Sequence, residues 1–283
     1  MPNVEVAERA GDRLTPPEPG TTASEDVVLV LPNAVAVSDG ATSLHPGART
    51  GGWYAARLAE ALEPRLAQPE ADLADLLASA IAELVVTFGL QPGASPSSTA
   101  SLLRWDDEHV EALVLADSPI VLDTSDGARA VTDEQLASLR SRSGRRPGTG
   151  YRDRLRSGEG FGAGHREALG SAMQRTSQWR NVDGGFWVAE AVPEAAAHAS
   201  RARIPRREVT TAMVMTDGVS CGVQDYGIYQ DWSAMLAVAV RNGPDALLDQ
   251  VRAAEMSDPG GVRWPRPKRH DDQALAVVRF TDA

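Results

Sequence analysis

Apolar residues in this chain come in runs of strand length, and the runs come in blocks. VVLVL and AVAV lie side by side over residues 26–37, split only by Pro32-Asn33, as in a hairpin of buried strands. STASLLRW, VEALVLAD and PIVLDT form a second block, separated by Asp/Glu and Ser/Pro turns, and Asp126-Gly127 marks another tight turn. GGFWVAEA, TTAMVMTD and ALAVVRF read as further strands. Between the blocks the period becomes helical. Trp53, Ala56, Leu58, Ala59, Leu62 and Leu66 share one side of a helix over 51–66, and Leu73, Leu76, Leu77, Ile81, Leu84 and Val85 one side of a second over about 70–88. TDEQLASL reads as a short helix with Thr132 and Gln135 at capping-box spacing. Shorter helices are expected over 167–175, over EAAAHASRA after Pro193, and twice within about 230–256. Blocks of strands with helix pairs between them, without regular βα alternation, predict antiparallel sheets covered by helices, an α+β layered domain.

The 283 residues are ample for a hydrophobic core without disulfides or a structural metal. Residues 1–21 are polar and Pro-rich and read as a flexible lead-in; 22–283 read as a single domain. Within it, about 140–166 is rich in Arg and Gly and without periodicity, an insertion or flap whose place beside an active site is left open. The net charge of −11 argues against a partner bound by phosphate neutralisation, so no nucleic acid is expected. The single cysteine, Cys221, excludes a disulfide framework and multi-cysteine metal sites. No apolar run nears the roughly 20 residues of a membrane span, and MPNVEVAERAGD has neither a basic nor an apolar region, so no membrane partner and a cytoplasmic location are expected. Lysine is nearly absent: Lys268 is the only one.

Position, not number, makes the acids informative. Glu25-Asp26 opens VVLVL, Asp39-Gly40 closes AVAVSDG, Asp117 closes ALVLAD, Asp217-Gly218 closes AMVMTDG, and Asp271-Asp272 opens ALAVVRF. A carboxylate at a strand end is anchored by the sheet while facing a polar cleft. Several converging there repel one another and call for a cation. Oxygen donors without His or Cys favour Mg²⁺ or Mn²⁺ over zinc. A single such Asp is ordinarily a turn residue; five sites at five strand ends are not accidental.

The ordered set resembles the type-2C metal-dependent serine/threonine protein phosphatases (the PPM family). SEDVVLVLPNAVAVSDGATS is similar to the family's first metal motif, SSTASLL and VLADSPIVL to its Gly-Ser-Thr-Ala strand and Gly-Asp-Ser-Arg motif, VMTDGVS to its Ser-Asp-Gly motif, and HDDQALAVVRF to its closing strand. The agreement spans about residues 22–280, and RNVDGGFWVAEAVPEAAAHA is similar to a bacterial branch. The resemblance implies an αββα four-layer sandwich, two central antiparallel sheets flanked by helix pairs. It implies a centre of two Mg²⁺ or Mn²⁺ ions bridged by Asp39, with the Gly40 carbonyl on one ion and Asp217 and Asp271 completing the site. Glu25 then holds metal-bound water with Asp26 in support, and Asp117 joins Asp217 at a weaker third ion. The implied activity is hydrolysis of a phosphate monoester by water activated between the ions, on a phosphoserine or phosphothreonine protein or a small phosphorylated metabolite.

The chain departs from that pattern at several places. Thr21 stands where the family has a phosphate-binding Arg; Arg13 or an insertion residue such as Arg145 are the candidates to replace it. Ala41 stands for a His, with His45 nearby, and Ala116, Pro119 and Asp272 replace Gly, Arg and Asn. The metal motifs survive better than the substrate contacts, so a catalytically weak regulatory or binding module is the alternative. A serine hydrolase is the remoter one: Gly218-Val219-Ser220-Cys221-Gly222 matches a nucleophile elbow, with Asp249 or Asp258 and His270 following. Gly158–Ala163 nearly fits a dinucleotide fingerprint but follows no strand, so a flexible loop is expected there. Cys221 is expected to be a packed side chain, the six Trp to be packing residues, and His109, His165 and His198 lack ligand spacing.

Overall fold

The computed structural model describes residues 2–14, 24–42, 49–68, 71–142 and 150–280. Strands are numbered along the chain. One five-stranded antiparallel sheet runs in the order β2 (Asp26–Leu31), β3 (Ala34–Asp39), β4 (Ala100–Trp105), β5 (His109–Leu115), β8 (Ser200–Pro205). The other runs β1 (Asn3–Arg9), β10 (Gln273–Arg279), β9 (Val209–Met215), β6 (Ile120–Thr124), β7 (Gly127–Val131). Every strand pair is antiparallel, and the sequence-expected 26–37 hairpin forms with Leu31 opposite Ala34.

The strands are continuously apolar because both faces of each sheet are covered. Side chains alternate across a strand. Val35 and Val37 of β3 and Ala274, Ala276 and Val278 of β10 enter the core between the sheets, with Leu103, Val114 and Val214. The alternate residues Ala34 and Ala36 meet α1 (Gly51–Leu66) and α2 (Leu73–Phe88) through Leu58, Leu62, Leu77 and Ile81. On the opposite outer face, Leu275 and Val277 meet α7 (Trp232–Asn242) and α8 (Pro244–Ser257) through Met235, Leu236, Leu247 and Val251. These layers make the αββα sandwich. Both helices of the first pair are capped as their sequences dictate. Thr50 Oγ1 accepts from the Trp53 N–H, Asp72 accepts from the Ala74 N–H, and Gly89 closes α2 at φ 64°. Among the described residues no helix is long and apolar enough to cross a membrane.

The elements differ from the sequence expectation in several places. Residues 3–9, read as part of the lead-in, form the edge strand β1; Val4 packs on the inter-sheet core, and the polar alternation of NVEVAER is that of an edge. GGFWVAEA is not a strand: it carries only isolated bridges, Ser98 to Ala189 and Arg180 to Phe186. After Pro193 the helix is one short 3₁₀ segment, Pro193–His198, and SRARIP becomes the edge strand β8, its arginines turned outward. A helix not expected from the sequence, α6 (Asp217–Gln224), starts two residues after β9 ends, with Thr216 as its N-cap. Finally, α3 (Gln135–Arg142) is entered not through Thr132 but through Asp133, whose carboxylate accepts from the Gln135 and Ala116 N–H groups. Part of the Arg/Gly-rich insertion is helical, with α4 (Tyr151–Arg156) and the start of α5 (Ala163–Ser177) packed through Tyr151, Leu155 and Leu169; residues 143–149 lie outside the described chain.

Candidate metal centre

Strand pairing brings the first two acidic sites together. In the β2–β3 ladder Asp26 stands opposite Asp39, and the Gly40 N–H donates to the Glu25 carbonyl at 3.1 Å. The second sheet meets this hairpin end through Thr216, whose hydroxyl donates to Asp26 Oδ2 at 2.8 Å. Thr216 also stitches β9 to β10, accepting from the Ala274 N–H at 3.1 Å, and Gln273 Nε2 donates to the Gly218 carbonyl at 3.1 Å. Asp217, first residue of α6, is thereby held beside Asp271. Asp117 is drawn in through its neighbour: Ser118 Oγ lies 2.7 Å from Thr99 Oγ1, which accepts from the Asp39 N–H at 2.9 Å. Ala116, before Asp117, sits at φ 72°, the left-handed region that glycine tolerates and alanine resists. Two glycines permit the close approach. A Cβ on Gly40 would collide with the backbone of Gly51 and Gly52, and one on Gly218 with the Asp272 carbonyl.

These carboxyls are crowded and lie partly or fully out of solvent. Burial raises the pKa of Asp39 well above the usual carboxylate range, and the neighbouring Asp26, Asp271 and Asp117 push it further, against a lowering pull from Lys268. Asp217 is raised in the same way by burial and then by Asp39, Asp271 and Asp117, and it shares a hydrogen bond with Asp39. Asp26 is raised by burial and Asp272, against the Thr216 hydrogen bond. Glu25 is raised mainly by burial, with Lys268 and Arg13 opposing. Such a set favours a bound cation, which relieves the repulsion and releases protons. All of its donors are oxygens, which suits Mg²⁺ or Mn²⁺. Among the described residues no three acid, His or Cys side chains are already gathered about one point, so the carboxylates are neighbours, not a preformed cage.

One cation of the chain itself enters the cluster. Lys268, 7% exposed, places Nζ 2.8 Å from Asp271 Oδ1 and 3.5 Å from Asp272 Oδ2. The two aspartates raise its pKa against the lowering effect of burial. Asp272, which replaces the family's Asn, also accepts from the Gly11 N–H at 2.8 Å. Sequence reasoning noticed Lys268 only as a compositional oddity. Its place depends on the turn at 266–272 folding back over the strand ends, where Arg266 Nε donates to the Arg269 carbonyl.

Asp39, Asp117, Asp217, Asp271 and Lys268 line a cleft of about 250 Å³. Its other wall is largely apolar, with Leu136, Leu169, Met173 and Phe186, and Arg140 and Arg180 lie along it. Ala41 lines the cleft without offering a proton donor there. Arg13 lies close enough to Glu25 to lower its pKa; Thr21, His45 and Arg145 lie outside the described residues. The hydrolase arrangement is not assembled. Ser220 is fully buried and its hydroxyl donates to Gln224 Oε1 at 2.7 Å, while His270 Nδ1 faces Glu255 at 3.0 Å. Cys221 is buried, and burial pushes its thiol pKa up, which keeps it inert. Gly158–Ala163 joins α4 to α5, with Gly158 and Gly160 at positive φ. Trp105 packs edge-on against Phe280 in the inter-sheet core, and Trp264 is buried.

No family model matches the chain, and no curated protein matches it in sequence. Solved structures do match, over almost its whole length. The serine/threonine phosphatase PstP/Ppp of Mycobacterium tuberculosis aligns at 12% identity over 99% of both chains with a TM-score of 0.58. The PPM Ser-Thr phosphatase MsPP of Mycobacterium smegmatis, in complex with cacodylate, aligns at 13% identity over 99% of this chain and 98% of its own, with a TM-score of 0.54. The catalytic domain of PstP in complex with two manganese ions aligns at 14% identity over the whole of both chains, with a TM-score of 0.54. The resemblance first read from five short motifs is thus met in three dimensions: this chain has the fold of the PPM-type serine/threonine phosphatases.

Proposed function

We propose that the protein is a divalent-metal-dependent phosphatase acting on phosphate monoesters, with phosphoserine or phosphothreonine in proteins as the substrate class. The observation that carries this reading is that strand-end aspartates from both sheets, Asp39, Asp117, Asp217 and Asp271, line a single cleft, with Asp26 paired opposite Asp39. The likeness to a neighbour that holds two manganese ions supports Mn²⁺ or Mg²⁺ as the cofactor. In this reading Asp39, the Gly40 carbonyl, Asp217 and Asp271 would hold the ions, and Asp117 would serve a weaker further position with Asp217. Bound there, the ions supply Lewis acidity, lowering the pKa of water and offsetting charge on phosphoryl oxygens.

The chain's own residues do the rest. Thr99 and Thr216 fix the Asp39 backbone and the Asp26 carboxylate, so the donors keep their places when the cluster changes charge. Glu25, with Asp26 beside it, would accept a hydrogen bond from water held at the ions. Arg13 stands beside Glu25, and Arg140 and Arg180 line the cleft, giving cationic groups for the substrate's phosphate and its acidic flanks. Ala41 offers no acid for the leaving group, which favours substrates whose alkoxide is protonated by solvent, and keeps open the reading as a metal-binding module of low turnover.

Phosphate release from a phosphothreonine peptide tests the reading. Turnover should require Mn²⁺ or Mg²⁺, stop in excess EDTA, survive Ser220→Ala and be lost in Asp39→Asn. Turnover indifferent to chelator, or dependent on Ser220 and not on Asp39, would sink it. Metal binding without turnover selects the module.

A further inference from the structure

We propose that the Lys268 ammonium is a built-in counter-cation of the acidic centre, so that divalent ions bind there in competition with it. The inference rests on the reading of the cluster as a divalent-ion centre. The position of the side chain carries it. The only lysine of the chain is buried among acids, with Nζ 2.8 Å from Asp271 and 3.5 Å from Asp272. It lines the same cleft as Asp39, Asp117 and Asp217.

An ammonium is a compact point charge that attracts several carboxylates at once, whereas a guanidinium prefers one planar partner. A lysine here therefore does for Asp271 and Asp272 part of what a metal ion does, and holds the metal-free centre together against its own repulsion. The same charge opposes an incoming divalent ion at Asp271, because like charges a few ångströms apart repel at a site partly shielded from water. The arrangement keeps the apo protein folded at the cost of metal affinity. The centre then loads only where the ion is abundant, and Asp271 is its weakest donor.

The test is Mn²⁺ binding by calorimetry, with thermal melting of the metal-free and Mn²⁺-saturated forms, on the parent, Lys268→Met, Lys268→Gln and Lys268→Arg. The expected result is a lower melting temperature for both neutral variants without metal, and Mn²⁺ binding about tenfold tighter or more. The stabilisation gained on adding Mn²⁺ should grow correspondingly. Lys268→Arg, which keeps the charge, should leave the Mn²⁺ affinity near the parent's even where the bulkier guanidinium lowers both melting temperatures. A lysine that only braces the turn would lower both melting temperatures and leave the Mn²⁺ increment unchanged or smaller, and that result overturns the proposal while leaving the metal reading intact. If neither parent nor neutral variants bind Mn²⁺, both fall together.

Discussion

Buried acids occur in two regions of this molecule, and the chain treats them in opposite ways. Glu255, on α8, is fully buried, and burial raises its pKa, but cations surround it. Arg252 Nε is at 3.2 Å, His270 Nδ1 at 3.0 Å, and Arg266 donates to its backbone carbonyl at 3.1 Å. Asp258, next along, takes Arg266 at 3.2 Å; despite its burial, the N–H groups of Trp264, Arg263 and Val262 and the Arg266 charge hold its pKa low. Asp26 is also buried, and Asp39 and Asp217 are partly so, yet each is raised well above the normal range by burial and by other acids, and among the described residues Lys268 is the cation that makes ion pairs with the cluster, at Asp271 and Asp272. The first region is a closed ion network that needs nothing from solution. The second is an open one, and its missing charge is the strongest argument for a bound cation.

Breaking the closed network should give the largest effect on stability. Arg266→Met leaves Asp258 and the carbonyls of Glu255, Trp264 and Arg269 without their buried donor, and should cost about 3–5 kcal/mol in denaturant melts. Adding Mn²⁺ should still stabilise this variant, because Arg266 lies outside the cleft. Breaking the open region does the reverse. Asp217→Asn should lower metal-dependent turnover by more than about a hundredfold, since even outer partners of metal ligands are worth roughly 10–100-fold. Its metal-free melting temperature should hold or rise, as one repelling acid is gone. Unaltered turnover in that variant would remove Asp217 from the site.

A smaller effect lies in pH. A carboxyl whose folded pKa is raised binds more protons folded than unfolded, so its contribution to stability falls as pH climbs above the ordinary range near 4. The metal-free protein should therefore lose several degrees of melting temperature between pH 5 and pH 8 from this cluster, and Mn²⁺ should restore more at pH 8 than at pH 5. Equal increments at both pH values would mean that the acids are not the ion's donors. The smallest effect is Ala116→Gly. It relieves a left-handed alanine worth about 1–2 kcal/mol, against roughly 0.4–1 kcal/mol of unfolded-chain entropy, for a net gain of about 0.5–1 kcal/mol.

The same contrast explains what could be read from the sequence. The site acids are legible because a strand end is a fixed position: once VVLVL and AVAV pair as a hairpin, Asp26 and Asp39 must face each other. The four layers follow from runs such as ALAVV, apolar at every position because both faces are covered. What escaped depends on partners distant in sequence. β1 and β8 are edge strands whose polar alternation mimics a tail and a helix, and they become strands only against β10 and β5. α6 is eight residues with two glycines, too short for a periodic signal. Lys268 and Arg266 take their roles from a turn that carries no regular pattern.

The central claim is that the open cluster is a divalent-ion centre. Titration of the metal-free protein with Mn²⁺ at neutral pH, reading the free ion by its electron paramagnetic resonance signal, tests it most directly. Two ions should disappear from solution per chain, and the double variant Asp39→Ala/Asp271→Ala should leave them free. Uptake of no ion by the parent, or equal uptake by the double variant, would contradict it.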